Sequence, residues 1–294
     1  MTAPLRPAAV PSARPVLVVG LVAAAVAGAM AAVAPAGRGW LLVLVLVVQL
    51  GFVAAWTSLL DTPSPAGAVA IAAGAAAASD GVLLRVHHVA LGVFATIVAL
   101  AFLFSLVWQI ARRHRTRVTE SLAATLAATV LGVGGGAYLT LRAGLNGEQP
   151  LADGRQAATA ALLGVATVLG VGRLLDAVWA RPALSGSRRR GLPGLVVGLA
   201  AAAGVGAWYG SQSAPSLVHG PGTITGTKAL LIALVAAAVA AAVDVGIDAG
   251  LTSLAKDGPA RRPVPWPARL GVATLLPVLV AAPPAYVVAR VVLT

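Results

Sequence analysis

Residues 229–251 read ALLIALVAAAVAAAVDVGIDAGL, and this stretch decides the fold class of the chain. It is long enough to cross a bilayer as a helix, since about 20 apolar residues span the hydrocarbon core. Asp244 and Asp248 interrupt it, and one Asp at the centre of a membrane helix costs roughly 2.5–3.5 kcal/mol on insertion. Because the two aspartates are four residues apart, they share one face of a helix. The stretch predicts a membrane helix with one polar face.

The composition extends this prediction to the whole chain. Of its 294 residues, 59% are hydrophobic and 10% are charged, whereas about 25% are charged in soluble domains. The chain has no cysteine, which excludes disulfides, thiolate metal sites and thiol catalysis. The net charge is +12, but Lys and Arg occur in short groups between apolar segments. That pattern is typical of membrane topology signals and lipid headgroup contacts, so we expect no nucleic-acid partner.

Apolar segments along the chain predict an all-α, polytopic bundle of about nine transmembrane helices. The third segment is the weakest, because it is rich in Ala and Gly. The ninth contains Pro277, Pro283 and Pro284, which should kink or break it. The segments lie at about 15–35, 40–60, 66–84, 88–111, 119–142, 156–175, 191–210, 227–252 and 268–292.

The N-terminus has some features of a signal peptide, but its apolar run is long enough to span a membrane, so we expect an uncleaved first helix. We expect a single transmembrane domain over residues 1–294. It divides into a cytoplasmic tail at 1–14, N-terminal helices at 15–111 and a second group of helices at 119–294.

The distribution of Lys and Arg predicts the orientation. With the N-terminus in the cytoplasm, fourteen basic residues fall on the cytoplasmic side and six on the outer side. Cytoplasmic loops carry the excess of Lys and Arg, so we expect an N-in, C-out protein of the plasma membrane. The six outer residues are Arg38, Arg85, Arg142, Arg155, Lys228 and Arg290.

The Asp244/Asp248 pair allows several roles. The carboxylates line a polar cavity, bind a metal cation or relay protons; alternatively, the helix ends early and Asp248 lies among the lipid headgroups. Arg173 and Asp176 are three residues apart near the end of the sixth span, which predicts a structural ion pair within one helix. Asp80 lies at the outer end of the third span, where we expect it at the membrane interface.

Three further patterns suggest binding or packing. Arg188, Arg189 and Arg190 form a basic run that suits either phosphate binding or membrane anchoring. The four histidines show no spacing typical of a metal or haem site. The glycine-rich run at 132–136 lies inside a span, which favours close helix packing or local flexibility over a phosphate loop.

Several short motifs, taken in order, resemble the phosphatidate cytidylyltransferase (CDP-diacylglycerol synthase) family. Residues 187–194 read SRRRGLPG and are similar to the family's Ser-Pro-Lys-Lys-Thr-Trp-Glu-Gly, with Gly198 matching a later glycine. Asp244 or Asp248 followed by SLAK at 253–256 is similar to Gly-Asp...Ser-x-x-Lys-Arg. The other matching stretches are ARRHRTRVTESLA at 111–123, VGRL at 171–174, ARLG at 268–271 and LLPVLVAAPPAYVVAR at 275–290.

The resemblance implies a polytopic helical fold with a cytoplasm-facing polar cavity, in which aspartates hold divalent metal and CTP is joined to phosphatidic acid. The chain departs from the family where that chemistry lies. The family's Asn-Asp falls on Gly164 and Val165, its loop Glu on Pro193, and the aspartates of Asp-Arg-x-Asp on Ala268 and Gly271. Without those carboxylates, metal binding and charge neutralisation fail, which favours a pseudoenzyme.

Three functions remain open at this point. The first is a non-catalytic relative that binds anionic phospholipid or a membrane partner, with Arg188, Arg189, Arg190 and Lys256 contacting phosphate. The second is an active cytidylyltransferase in which Asp244 and Asp248 hold Mg²⁺. The third is a transporter of ions or small solutes that uses the same aspartates. The expected partners are the lipid bilayer, anionic phospholipid, and a second copy or another membrane protein.

Overall fold

The computed structural model describes residues 13–62, 64–85, 91–112, 117–143, 151–179, 191–212, 224–256 and 265–293. These residues form ten α-helices and no strand. The helices are α1 (Ala13–Val33), α2 (Arg38–Leu59), α3 (Pro65–Arg85), α4 (Leu91–Ala111), α5 (Val118–Gly135), α6 (Ala137–Ala143), α7 (Leu151–Val178), α8 (Leu192–Gln212), α9 (Gly226–Lys256) and α10 (Trp266–Leu293).

The predicted all-α membrane fold is confirmed. Within the described ranges, nine helical segments are long and apolar enough to cross a membrane, the number that the sequence predicted. The weak third segment forms α3, and α5 and α6 together make one span over Val118–Ala143. The chain is therefore a multi-pass membrane protein by the length and composition of its helices.

The predicted break in the ninth span does not occur. α10 continues as one helix through Pro277, Pro283 and Pro284. Proline removes one helical hydrogen bond and crowds the preceding turn, but side chains of neighbouring helices can bond the backbone groups that this leaves. Tyr138 of α6 also bonds this part of α10, since its hydroxyl donates to the carbonyl of Val278 at 3.0 Å, next to the carbonyl of Leu279 that Pro283 leaves without a helical donor.

Small residues allow the helices to pack closely. α7 contacts α1, α8 and α9, while α10 packs against α9 on one side and against α2 and α5 on the other. At Gly164 of α7, a β-carbon would overlap the backbone of Ala233 in α9, so only glycine fits there. Close backbone approach between small residues is a common way of packing helices in membranes.

Contacts between helix ends show how the chain alternates across the bundle. The carbonyl of Ala34, after α1, accepts a hydrogen bond from Arg142 Nε at the end of α6. At the opposite end, the carbonyl of Asp61, after α2, accepts one from Arg117 Nη1 at 3.4 Å, just before α5. The C-terminal half of α7, the start of α8 and the C-terminal half of α9 therefore lie at the same end as Asp61.

Candidate functional site

A buried ion pair joins α7 to α9. Arg173 Nη2 donates to Asp244 Oδ1, and their side chains are only 5% and 1% exposed. Both residues lie within membrane-spanning segments, Gly154–Val178 and Gly226–Leu251. The charge of Asp244, which the sequence marked as costly, is therefore neutralised by an arginine of the neighbouring helix.

The ion pair that the structure shows for Arg173 is not the one that we expected within α7. We predicted pairing of Arg173 with Asp176, whereas Arg173 reaches across to Asp244. Asp176 Oδ1 instead accepts the backbone N–H of Gly191 at 3.0 Å, directly before α8. Arg173 and Asp176 thus tie α7 to two different neighbouring helices.

The close approach of α7 and α8 explains why Gly194 and Gly198 are glycines. A β-carbon at Gly194 would overlap the Asp176 carboxylate, so only glycine fits beside that side chain. A β-carbon at Gly198 would lie 3.1 Å from the carbonyl of Val168 and 3.3 Å from the α-carbon of Gly172. Glycine at both positions therefore lets the two helices come close enough for Asp176 to bond the N–H of Gly191.

Asp248 lies one helical turn beyond Asp244 and is also buried, at 6% exposure. α9 does not end before it, because the helix continues to Lys256. The structure therefore places both aspartates of the pair inside the protein, at the end of the bundle where α7, α8 and α9 meet.

The basic residues predicted to contact phosphate cannot be placed relative to these aspartates. Arg188, Arg189 and Arg190 fall outside the described residues, as does the side chain of Lys256. Their predicted contact with phosphate stays a prediction. The structure does describe Gly191, which directly follows Arg190 in the sequence and whose N–H donates a hydrogen bond to Asp176.

Asp244 and Asp248 also remain a predicted rather than an observed metal site. Among the residues that the structure describes, no group of three His, Cys, Asp or Glu side chains is placed to hold a metal ion. A metal at Asp244 would compete with the guanidinium of Arg173 for the same carboxylate.

A second buried polar cluster lies between α2, α3 and α5. Asp80, expected at the membrane interface, is only 2% exposed and accepts a hydrogen bond from Gln49 Nε2 at 3.3 Å. α2 and α5 cover this face of α3, so Asp80 lies inside the protein, while its depth in the membrane stays a prediction. Sequence reasoning did not single out Gln49, although it is a lone amide in the apolar run between Trp40 and Trp56.

Comparison with known proteins found no matching family model, no matching curated protein and no matching solved structure. The likeness to the synthase family therefore rests on short sequence motifs alone.

Proposed function

We propose that this membrane protein is a divergent, non-catalytic relative of CDP-diacylglycerol synthases that binds the phosphate of an anionic phospholipid. The observation that carries the proposal is the buried ion pair between Arg173 and Asp244. The resemblance assigns metal binding to an acid that corresponds to Asp244 or Asp248. With a guanidinium on the Asp244 carboxylate, the charge there that would attract a divalent cation is already neutralised.

The missing acids support the same conclusion. Cytidylyl transfer would bring a triphosphate, a lipid phosphate and metal together, and needs several carboxylates to hold the metal. The family's closing aspartates are Ala268 and Gly271 here, at the start of α10. Ala268 is buried, and neither residue has a side chain that can coordinate metal.

The attachment of α8 supports phosphate binding at this end of the bundle. Asp176 holds the backbone N–H of Gly191, which follows the run of Arg188, Arg189 and Arg190. This contact fixes the point at which the arginine run joins α8, and arginine forms two parallel hydrogen bonds with phosphate. A phospholipid supplies phosphate at the depth of a membrane helix end.

A lipid titration of the purified chain, read by native mass spectrometry, tests the proposal. We expect phosphatidic acid to bind more tightly than phosphatidylcholine. A triple variant with Arg188→Gln, Arg189→Gln and Arg190→Gln should bind phosphatidic acid about 100-fold more weakly, because each basic residue near an anionic lipid contributes about 1 kcal/mol.

A matched control removes the same number of charges from the opposite end of the bundle. The variant with Arg85→Gln, Lys228→Gln and Arg290→Gln should keep the preference for phosphatidic acid. Equal binding of the two lipids by the unmodified chain, or unchanged binding in the first triple variant, would contradict the proposal.

A further inference from the structure

Three polar side chains are buried together in the half of the bundle formed by α2, α3 and α5. Gln49, Ser79 and Asp80 are all at most 2% exposed. Gln49 Nε2 donates to Asp80 Oδ1 at 3.3 Å and to the carbonyl of Gly132 at 3.0 Å. The amide of Gln49 therefore links the carboxylate of α3 to the backbone of α5.

The carboxylate of Asp80 has no positive partner in the described part of the chain. Its hydrogen bond comes from a neutral amide, and neither of the two ion pairs among the described residues includes it. An isolated ionised carboxylate is too costly to bury in apolar surroundings, so it takes up either a proton or a compensating cation. Something other than a described Lys, Arg or His must therefore neutralise Asp80.

Each of these three side chains has a buried oxygen that lacks a hydrogen bond. Asp80 Oδ2, Gln49 Oε1 and Ser79 Oγ have no hydrogen-bond partner among the described residues. A proton on the carboxyl would add a single donor for these atoms. A hard metal cation is bound by several oxygens at once, from carboxylates, amides, backbone carbonyls and water.

The helix opposite Asp80 is rich in glycine at this depth. α5 ends at Gly135 and α6 begins at Ala137, and the Gly136 between them keeps right-handed helical angles (φ −61°, ψ −15°). The N–H of Gly136 donates to the carbonyl of Val133 at 3.0 Å, and Gln49 bonds the carbonyl of Gly132. A backbone carbonyl therefore lies beside the amide that bonds Asp80, and backbone carbonyls are among the oxygens that a hard cation takes.

Glycine makes room for the polar groups beside α5. A β-carbon at Gly136 would lie 2.9 Å from Asp80 Oδ1. One at Gly135 would overlap Leu279 of α10 and lie 3.4 Å from Gln49 Cγ. The glycine-rich run thus brings the backbone of α5 against the carboxylate and the amide, as close packing at this run predicted.

We infer that Asp80 and Gln49, with Ser79 and the carbonyl of Gly132, bind one monovalent metal cation, for which Na⁺ is the probe. One carboxylate matches one positive charge, and the available groups are the oxygen ligands that a hard cation takes. The site lies on other helices than the Arg173–Asp244 pair and does not depend on the proposed lipid binding.

Thermal unfolding of the purified full chain tests the site, with tryptophan fluorescence as the readout. NaCl is compared with choline chloride at equal ionic strength. A ligand that binds only the folded state stabilises it, so Na⁺ at 100 times its Kd should raise Tm by about 5–10 °C, and the rise should saturate. Asp80→Asn, which keeps the size of the side chain, should abolish the rise.

Two further variants keep the test decisive. Asp61→Asn removes an exposed acid at the end of α2, in a left-handed conformation (φ 46°) that Asn accepts, and should leave the Na⁺ effect intact. Ser79→Ala should shift the saturation curve to higher Na⁺ concentration.

Equal Tm in the two salts for the unmodified chain would overturn the inference, as would a Na⁺ effect that persists in Asp80→Asn. A Tm that depends on pH through Asp80 but not on Na⁺ would also overturn it, since the carboxyl would then carry a proton.

Discussion

Arg173 and Asp244 are 71 residues apart in the sequence and meet inside the protein. That Asp244 needs a partner follows from the sequence, because a charge within an apolar span is costly. The identity of the partner does not follow, because no local pattern tells which helix packs against α9. The nearest oppositely charged residue on α7, Asp176, was the natural candidate for Arg173, but the packing of α8 gives Asp176 a different partner.

Removing one member of the pair should destabilise the protein strongly. Arg173→Met leaves the Asp244 carboxylate without this guanidinium, and breaking a buried pair costs about 3–5 kcal/mol. The double variant Arg173→Met with Asp244→Leu buries no charge at this position and should recover most of that loss. Unfolding in mixed detergent micelles, analysed as a double-mutant cycle, measures the coupling. A double variant as unstable as the sum of the two single variants would show that the pair is not coupled.

At the scale of elements, composition and length were sufficient to predict the helices but not the continuity of the proline-containing one. The predicted span over 119–142 is confirmed as Val118–Ala143, with α5 giving way to α6 at Gly136 in its glycine-rich run. We expected the three prolines to kink or break the ninth span, yet α10 is continuous. The contacts of both segments with other helices follow from no local pattern: Gln49 bonds the carbonyl of Gly132, and Tyr138 bonds that of Val278.

The packing of α7 against α8 can be tested with two alanine substitutions in the same helix. Gly194→Ala places a methyl group against the Asp176 carboxylate and should destabilise the protein by about 1–3 kcal/mol. Gly204→Ala meets nothing within 4 Å and should stabilise it by about 0.4–1 kcal/mol. The same unfolding measurement gives both values. Effects of equal sign and size would contradict the close contact at Gly194.

At the scale of the whole molecule, the hydrophobic spans are the most predictable feature, because each is a local property of about 20 residues. The arrangement of the spans is not local: it depends on small residues that allow many different helix pairs to approach. The alternation of helix ends is now established for the described helices by contacts such as Arg142 with Ala34. Which end faces the cytoplasm remains a prediction from the excess of Lys and Arg.

The absence of cysteine makes that orientation easy to measure, because a single introduced thiol is the only one in the chain. Ser185 lies in the sequence between α7 and α8, and Thr225 lies just before α9 at the other end of the bundle. For an N-in protein, a membrane-impermeant maleimide should label the Thr225→Cys variant in intact cells. It should label the Ser185→Cys variant only after the cells are opened. The reverse pattern would mean that the N-terminus is outside.

We propose that Asp244 belongs to a structural ion pair in a phosphate-binding protein rather than to a catalytic metal centre. The most direct measurement is incubation of the purified chain with CTP, phosphatidic acid and Mg²⁺, with detection of CDP-diacylglycerol and pyrophosphate. We predict that neither product forms, although phosphatidic acid stays bound. Formation of CDP-diacylglycerol that Asp244→Asn abolishes would contradict the claim.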